Sequence, residues 1–393
     1  MRDQNRAGHI VLDPVAGPIA RLTAVAGMTL LVNACGDPSV AAIKQAESGA
    51  FRARSVAVGL DHACAVGVDG LAYCWGSDTA GQIGEGDTTT RLVPAQVGGG
   101  LAFRSLTAGG AHTCGLTTGG AAYCWGSNYH GALGTGDLVS RSVPTPVTGG
   151  LTFASLTAGE NHTCGLTTAG AAYCWGENWS DQGGDGVGDG TIHTAPVPVA
   201  GGLTFQSLSA GARETCGIAV GGSAFCWGDI VGQTLERDVP VAVAPGTTFS
   251  NYASGGYVDC GLTADSLAYC WGDDLFGELG DGTTTSSAVP VRVAGGFRYK
   301  SVATSAFGEC GVRGSGELDC WGWMPSLELL RSTPQNIAGA VRFASVSGTA
   351  DGQNMCGVTV DSVAFCWGAN SSSGELGNGS TGIVIGIAAV KSP

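Results

Sequence analysis

The chain has 393 residues, 68 of them glycine and only 13% charged, and a formal net charge of −14. Such a surface is repelled by nucleic-acid phosphates and anionic lipid headgroups, so neither is expected as a partner. The 44% apolar content is enough for a large core, and lysine is confined to Lys44, Lys300 and Lys391.

Residues 1–20 are polar and carry Pro14 and Pro18; Arg21 then precedes an apolar run of eleven residues, Leu22 to Val32. A bilayer span needs about 20 residues, so the run fits the apolar region of an export signal instead. Val32-Asn33-Ala34-Cys35 resembles a bacterial lipoprotein signal, in which the cysteine is lipidated and becomes the mature N-terminus. The alternative is a general secretory signal with an incidental cysteine. Residues 1–34 are thus expected to be a signal peptide, 35–50 a tether and 51–393 the folded body, outside the cytoplasm. The membrane is expected to be touched only through a lipid on Cys35.

Cysteine is the most informative residue. Fourteen of the 15 fall into seven pairs of spacing C-x9-C. The pairs are Cys64 with Cys74, Cys114 with Cys124, Cys164 with Cys174, Cys216 with Cys226, Cys260 with Cys270, Cys310 with Cys320, and Cys356 with Cys366. Successive first cysteines are 50, 50, 52, 44, 50 and 46 residues apart. A period near 50 built from short strands predicts a propeller with one blade per repeat. The second copy shows the plan. Phe103 to Ala108 reads as a first strand, Thr113 to Thr117 as a second and Ala121 to Trp125 as a third. A glycine-rich loop, Asn128 to Asp137, leads to a fourth strand, Val143 to Val147. Its prolines cannot donate to a ladder, which places it at a blade edge.

A hairpin centred on Gly119 sets Cys114 opposite Cys124 and Leu116 opposite Ala122. Directly opposed residues lie within disulfide range. One disulfide per blade is therefore expected, bridging the second and third strands; metal binding by these cysteines would need further ligands from another blade. Trp-Gly recurs at 75, 125, 175, 227, 271, 321 and 367, which makes seven blades. The expected fold is an all-β, seven-bladed propeller of four-stranded antiparallel blades. The phase that closes the ring is not determined by the repeats.

The order of these features, His-x-Cys, aromatic-x-Trp-Gly, then Asn-x-x-Gly-x-Leu-Gly-x-Gly-Asp and a proline-bearing strand, resembles the regulator of chromosome condensation repeat. It is clearest at 112–137 and 271–282. The resemblance implies a seven-bladed propeller and, in its eukaryotic founder, a nuclear guanine-nucleotide exchange factor. An export signal and an acidic surface fit that role poorly. The secreted bacterial propeller that inhibits β-lactamases is similar in setting and is a pure binding protein. The ultraviolet-B receptor of plants shares the fold, but its Gly-Trp-Arg-His-Thr signature is replaced here by Gly-Gly-Ala-His-Thr and Gly-Glu-Asn-His-Thr.

His62, His112 and His162 recur two residues before a first cysteine and are expected to hydrogen-bond a loop backbone rather than to form a metal site. Asp87 and Asp137 are expected to accept turn amides. Asp181, Asp185 and Asp189, in an enlarged loop of the third repeat, are a weak calcium candidate against a solvated insertion. No cofactor and no catalytic residue is assigned. The loop after each Trp-Gly varies: Asp78, Tyr129 with His130, Trp179, Ile230, Leu275 with Phe276, Trp323 with Met324, and Asn370. Aromatics in such loops favour an interface. Tyr129, His130, Trp179, Phe276, Trp323 and Met324 are the candidate binding residues of a monomeric scaffold for a protein or other macromolecule. The alternatives are an exchange factor and an envelope hydrolase with a site in the central channel.

Overall fold

The computed structural model of the protein describes residues 49–393 apart from 234, 325–328, 383 and 385. The expected signal segment, Cys35 and nearly all of the expected tether lie outside the described residues. Residues 49–393 form seven four-stranded antiparallel sheets, each from four consecutive strands in sequence order. Blade two runs Phe103–Ala108, His112–Thr117, Ala122–Gly126 and Arg141–Pro146. First strands line the central channel, so the proline-bearing fourth strands take the outer edge, where an unpaired backbone position is tolerated.

The hairpin register is the one that the cysteine spacing predicts: Cys114 pairs with Cys124 and Leu116 with Ala122. All seven expected disulfides are formed. Cys64 is bonded to Cys74, Cys114 to Cys124, Cys164 to Cys174 and Cys216 to Cys226. Cys260 is bonded to Cys270, Cys310 to Cys320 and Cys356 to Cys366. Their Cα atoms stand 4.0–4.1 Å apart, as direct opposition across a hairpin requires. No cysteine of these pairs is left over for a metal, so their role is structural. Each disulfide is buried beside the tryptophan of its Trp-Gly, and those seven tryptophans are at most 2% exposed.

The tryptophans also bind blade to blade. Trp125 Nε1 donates to Gln82 O in the loop of blade one at 2.9 Å, and Trp175 does the same to Ala132 O of blade two. The preceding loop must come very close, and glycine permits it. At Gly84, which has φ +84°, an added Cβ would stand 2.5 Å from Trp125 Nε1. Gly115 is required by a second contact, since a Cβ there would meet the Phe103 ring at 2.5 Å.

Ring closure repeats this contact. Trp75 Nε1 of blade one donates to Glu375 O of blade seven at 2.9 Å. Phe51 N donates to Val390 O, Ala53 N to Ser362 O, and Ala50 bridges Lys391. All four strands of blade seven come from the C-terminal end, the last being Ala388–Ala389, and the N-terminal segment clasps that blade without joining it as a strand. Blade six departs from the repeat: its third strand, Leu318–Met324, continues past Trp-Gly and pairs with Leu329–Asn336.

Candidate functional site: the loop face

His112 pairs with Gly126 and Ala108 with Thr113, so the first-to-second and third-to-fourth connections of a blade open on the same face. The first set rings the channel mouth and the second lies outside it.

Each outer loop is built around one buried residue. Asn128 Oδ1 accepts from Leu133 N at 3.0 Å, and its Nδ2 donates to Asp137 O at 2.9 Å. Asp78, Asn178, Ile230, Asp274 and Asn370 occupy the same place and are buried too. The sequence series therefore mixed two registers: Asp78, Ile230 and Asn370 hold loops together, and the next residue outward is the one presented. Tyr129 is 73% exposed and Trp179 59%.

Two aromatic patches result. In the first, His130 and Trp179 meet edge to face with centroids 5.0 Å apart. His130 Nδ1 lies 3.3 Å from Glu177 Oε2. With Glu160, Asn161 and Arg213 these residues line a cleft of about 320 Å³ between blades two, three and four. In the second, Phe276 of blade five packs on Phe307 and Trp323 of blade six at 6.0 and 5.4 Å, and Phe307 lies 5.5 Å from Trp323. Phe276 and Trp323 remain 37% and 36% exposed beside the open Leu275. Met324 does not belong to this surface. Strand alternation turns it inward, and its Sδ lies 4.0 Å from Cys310 Sγ in the core.

Phe307 and Arg213 are site residues of the inner loops, which the variation of the outer loops does not reveal. They share one repeat position with Asp61, Ala111, Asn161 and Tyr257, directly before the His62, His112 and His162 place. The signal was variation in the inner loops.

Between the patches, the inner loop of blade seven crosses the channel mouth, where Gly256 N donates to Ala350 O at 3.1 Å. Asp351 faces Glu160 there, and burial followed by that neighbour pushes its carboxyl up to about 6. The cavity beneath, about 260 Å³, is walled mostly by alanine, valine, serine and threonine of the first strands, with no histidine, cysteine or lysine among the described lining residues.

The other sequence candidates have local roles. His62, His112 and His162 are buried, and each Nε2 lies 2.9 Å from a threonine hydroxyl of the next blade: Thr113, Thr163 and Thr215. Their partner is a side chain rather than the loop backbone expected, because the threonine itself takes the loop carbonyl, as Thr163 does with Ala132 O. Asp87 and Asp137 accept the turn amides of Thr89 and Val139. Asp181, Asp185 and Asp189 do not converge: among the described residues their oxygens form no group within 4.8 Å. Asp185 is drawn instead to His193 Nε2 at 3.0 Å, and Asp189 accepts from Thr191 N.

Two family models, both described as the regulator of chromosome condensation (RCC1) repeat, match the chain. One covers 69–116 and 119–166, the other 53–82, 103–132 and 153–182. No curated protein sequence matches it. Among solved structures, Prp20p of Saccharomyces cerevisiae, described with its binding properties to Gsp1p and histones, superposes with a TM-score of 0.69 at 20% identity over 93% of this chain and 90% of that one. Yeast RCC1 (Prp20) bound to Kap60 gives 0.68 at 20%, over 96% and 90%. Human WBSCR16 gives 0.68 at 18%, over 76% and 85%. At these identities the likeness is one of fold.

Proposed function

Because the chain belongs to the regulator of chromosome condensation repeat family, we propose that it is a protein-binding scaffold that docks its partner on the loop face. The observation that carries this is the pair of aromatic patches, Tyr129–His130–Trp179 and Phe276–Phe307–Trp323, on the same face of blades that bury the tryptophan of every Trp-Gly. Exposed aromatic clusters of this kind are enriched at interface hot spots. Protein binding by the yeast relatives is compatible with the proposal but names no partner for this chain. The formal charge of −14 favours a partner with a basic rim.

The scaffold works outside the cytoplasm, held to the envelope through a lipid on Cys35. Seven disulfides belong to an oxidising compartment, which supports this placement. It also weighs against an exchange factor acting on a cytosolic GTPase.

The test is crosslinked capture from envelope extracts with the full chain and with a Tyr129→Ala, Trp179→Ala, Phe276→Ala, Trp323→Ala variant. The variant loses the captured partner. Unchanged capture by a folded variant sinks the proposal. Recovery of the native protein from the cytosol with free thiols would revive the exchange factor.

A further inference from the structure

The outer loops of blades one and two have one frame and different chemistry. In blade two, Asn128 Nδ2 faces four oxygens: Asp137 O at 2.9 Å, Thr135 Oγ1 and Asp137 Oδ1 at 3.2 Å, and Val139 O at 3.3 Å. An amide nitrogen has two hydrogens to give them. Blade one keeps the frame. Asp78 Oδ1 accepts from Ile83 N at 2.8 Å, as Asn128 Oδ1 does from Leu133 N. Asp87 Oδ1 accepts from Thr89 N, and Arg91 holds Asp87 as Arg141 holds Asp137.

The amide, however, has become a carboxylate, and Glu85 stands where blade two has Thr135. Asp78 is 0% exposed, and its Oδ2, in the place of the amide nitrogen, is buried without a hydrogen-bond partner. Oxygens of Asp78, Glu85 and Asp87 lie within 4.8 Å of one another. Arg91 pairs with both Glu85 and Asp87 from one side and leaves Asp78 unmatched. Asp274 of blade five makes the contrast, because its second oxygen receives the Thr283 hydroxyl at 3.3 Å.

We propose that the Asp78–Arg91 loop is a calcium site in which the cation takes the place of the Asn128 amide. Asp78 Oδ2, Glu85 and Asp87 supply the charge, and the main-chain carbonyls of Asp87 and Thr89, at the positions of Asp137 O and Val139 O, complete the shell. A flexible all-oxygen set of carboxylates and carbonyls suits calcium better than magnesium, which demands strict octahedral geometry, or a softer metal. Gly86 N of this loop donates to Ser142 O of blade two at 2.9 Å, so the cation braces the seam between the blades on the docking face.

The test is calcium alone, added to the full chain after chelation, with Asp78→Asn and Glu85→Thr as variants that restore blade two's residues. Calorimetry reads one site per chain of roughly 10⁻⁴–10⁻³ M affinity, as in extracellular modules, and 1 mM calcium raises the melting temperature by roughly 0.5–2 °C. Asp78→Asn folds, loses binding at least about tenfold and melts independently of calcium. A wild-type chain indifferent to calcium overturns the proposal. Binding retained by Asp78→Asn overturns it by placing the ion elsewhere.

Discussion

His112 Nε2 lies 2.9 Å from Thr163 Oγ1 in the neighbouring blade, and that hydroxyl gives its single proton to Ala132 O at 2.9 Å. The imidazole must therefore donate from Nε2, and a second proton would have to enter at Nδ1 in a fully buried setting. Burial accordingly holds His112 down to about 4, and His62 and His162 down to about 3, against about 6.5 in the unfolded chain. The folded state binds fewer protons than the unfolded state between those values. The three histidines contribute stability that is complete above pH 6.5 and lost as pH falls, towards 4 for His112 and towards 3 for His62 and His162. His112→Gln keeps a donor at the Nε2 place. It should flatten the loss by about 1.4 kcal/mol per pH unit between pH 6.5 and 5. Urea denaturation at several pH values measures this, and an unchanged slope would place its origin elsewhere.

At the seam of blades four and five the same positions carry Glu214 and Asp259, with Ser254 between them. Ser254 Oγ lies 2.6 Å from Glu214 Oε1 and 3.2 Å from Asp259 Oδ1, and Tyr252 donates to Asp259 Oδ2 at 2.7 Å. Burial, and then the Asp259 charge, raises Glu214 well above the usual carboxylate range. Ser254 Oγ donates to Glu214 Oε1 and also faces Asp259, so a hydroxyl between two carboxyl groups replaces the histidine–threonine contact. A raised folded value means stability that is present below about pH 4.3 and lost as pH rises through the folded value. Glu214→Gln keeps the acceptor and removes the titration. The variant should match the wild type near pH 4 and exceed it by at least about 1 kcal/mol at pH 8. Equal melting curves at pH 8 would show that Glu214 does not titrate in this way.

The repeat made the architecture legible because disulfide, tryptophan and glycine contacts are local and return in every blade. Cys114 opposite Cys124 follows from hairpin arithmetic alone, and the same sum places Cys164 opposite Cys174 and Cys260 opposite Cys270. Ring closure was not legible, because Phe51 N to Val390 O depends on which strand the chain begins with. The site was half legible. Tyr129 and Trp179 stand out as breaks in the repeat, but Asp78, Ile230 and Asn370 vary at the adjoining position and read the same way in the sequence. One step of register separates a buried loop anchor from an exposed anchor for a partner. Met324 failed for a related reason: blade six extends its strand where the other blades turn, so alternation decided its direction.

Two glycines with nearly the same backbone angle separate strain from contact. Gly84 (φ +84°) would set a Cβ 2.5 Å from Trp125 Nε1, whereas Gly99 (φ +83°) has nothing within 4 Å. Gly99→Ala should cost only the left-handed penalty, about 1–2 kcal/mol. Gly84→Ala adds displacement of a buried indole and should cost roughly 2–5 kcal/mol. Tryptophan fluorescence should shift to the red for the second variant only. Equal losses would mean that the indole moves aside freely.

Cys114 and Cys124 lie in one hairpin, so their bond constrains a short loop and acts within blade two. In the chain-entropy picture its removal costs a little under about 3 kcal/mol. Repeat arrays couple mainly to nearest neighbours, so the damage should stay near blades one to three. Replacing Cys114 and Cys124 together by alanine should lower the urea midpoint and leave the other six disulfides paired as before. Hydrogen exchange should quicken in blade two and at its seams, with blades five and six unchanged. Peptide mapping without reductant checks the pairing. Mixed pairs among the remaining cysteines would show that the blades do not close their disulfides independently, and a uniform rise in exchange would show that the ring unfolds as one unit.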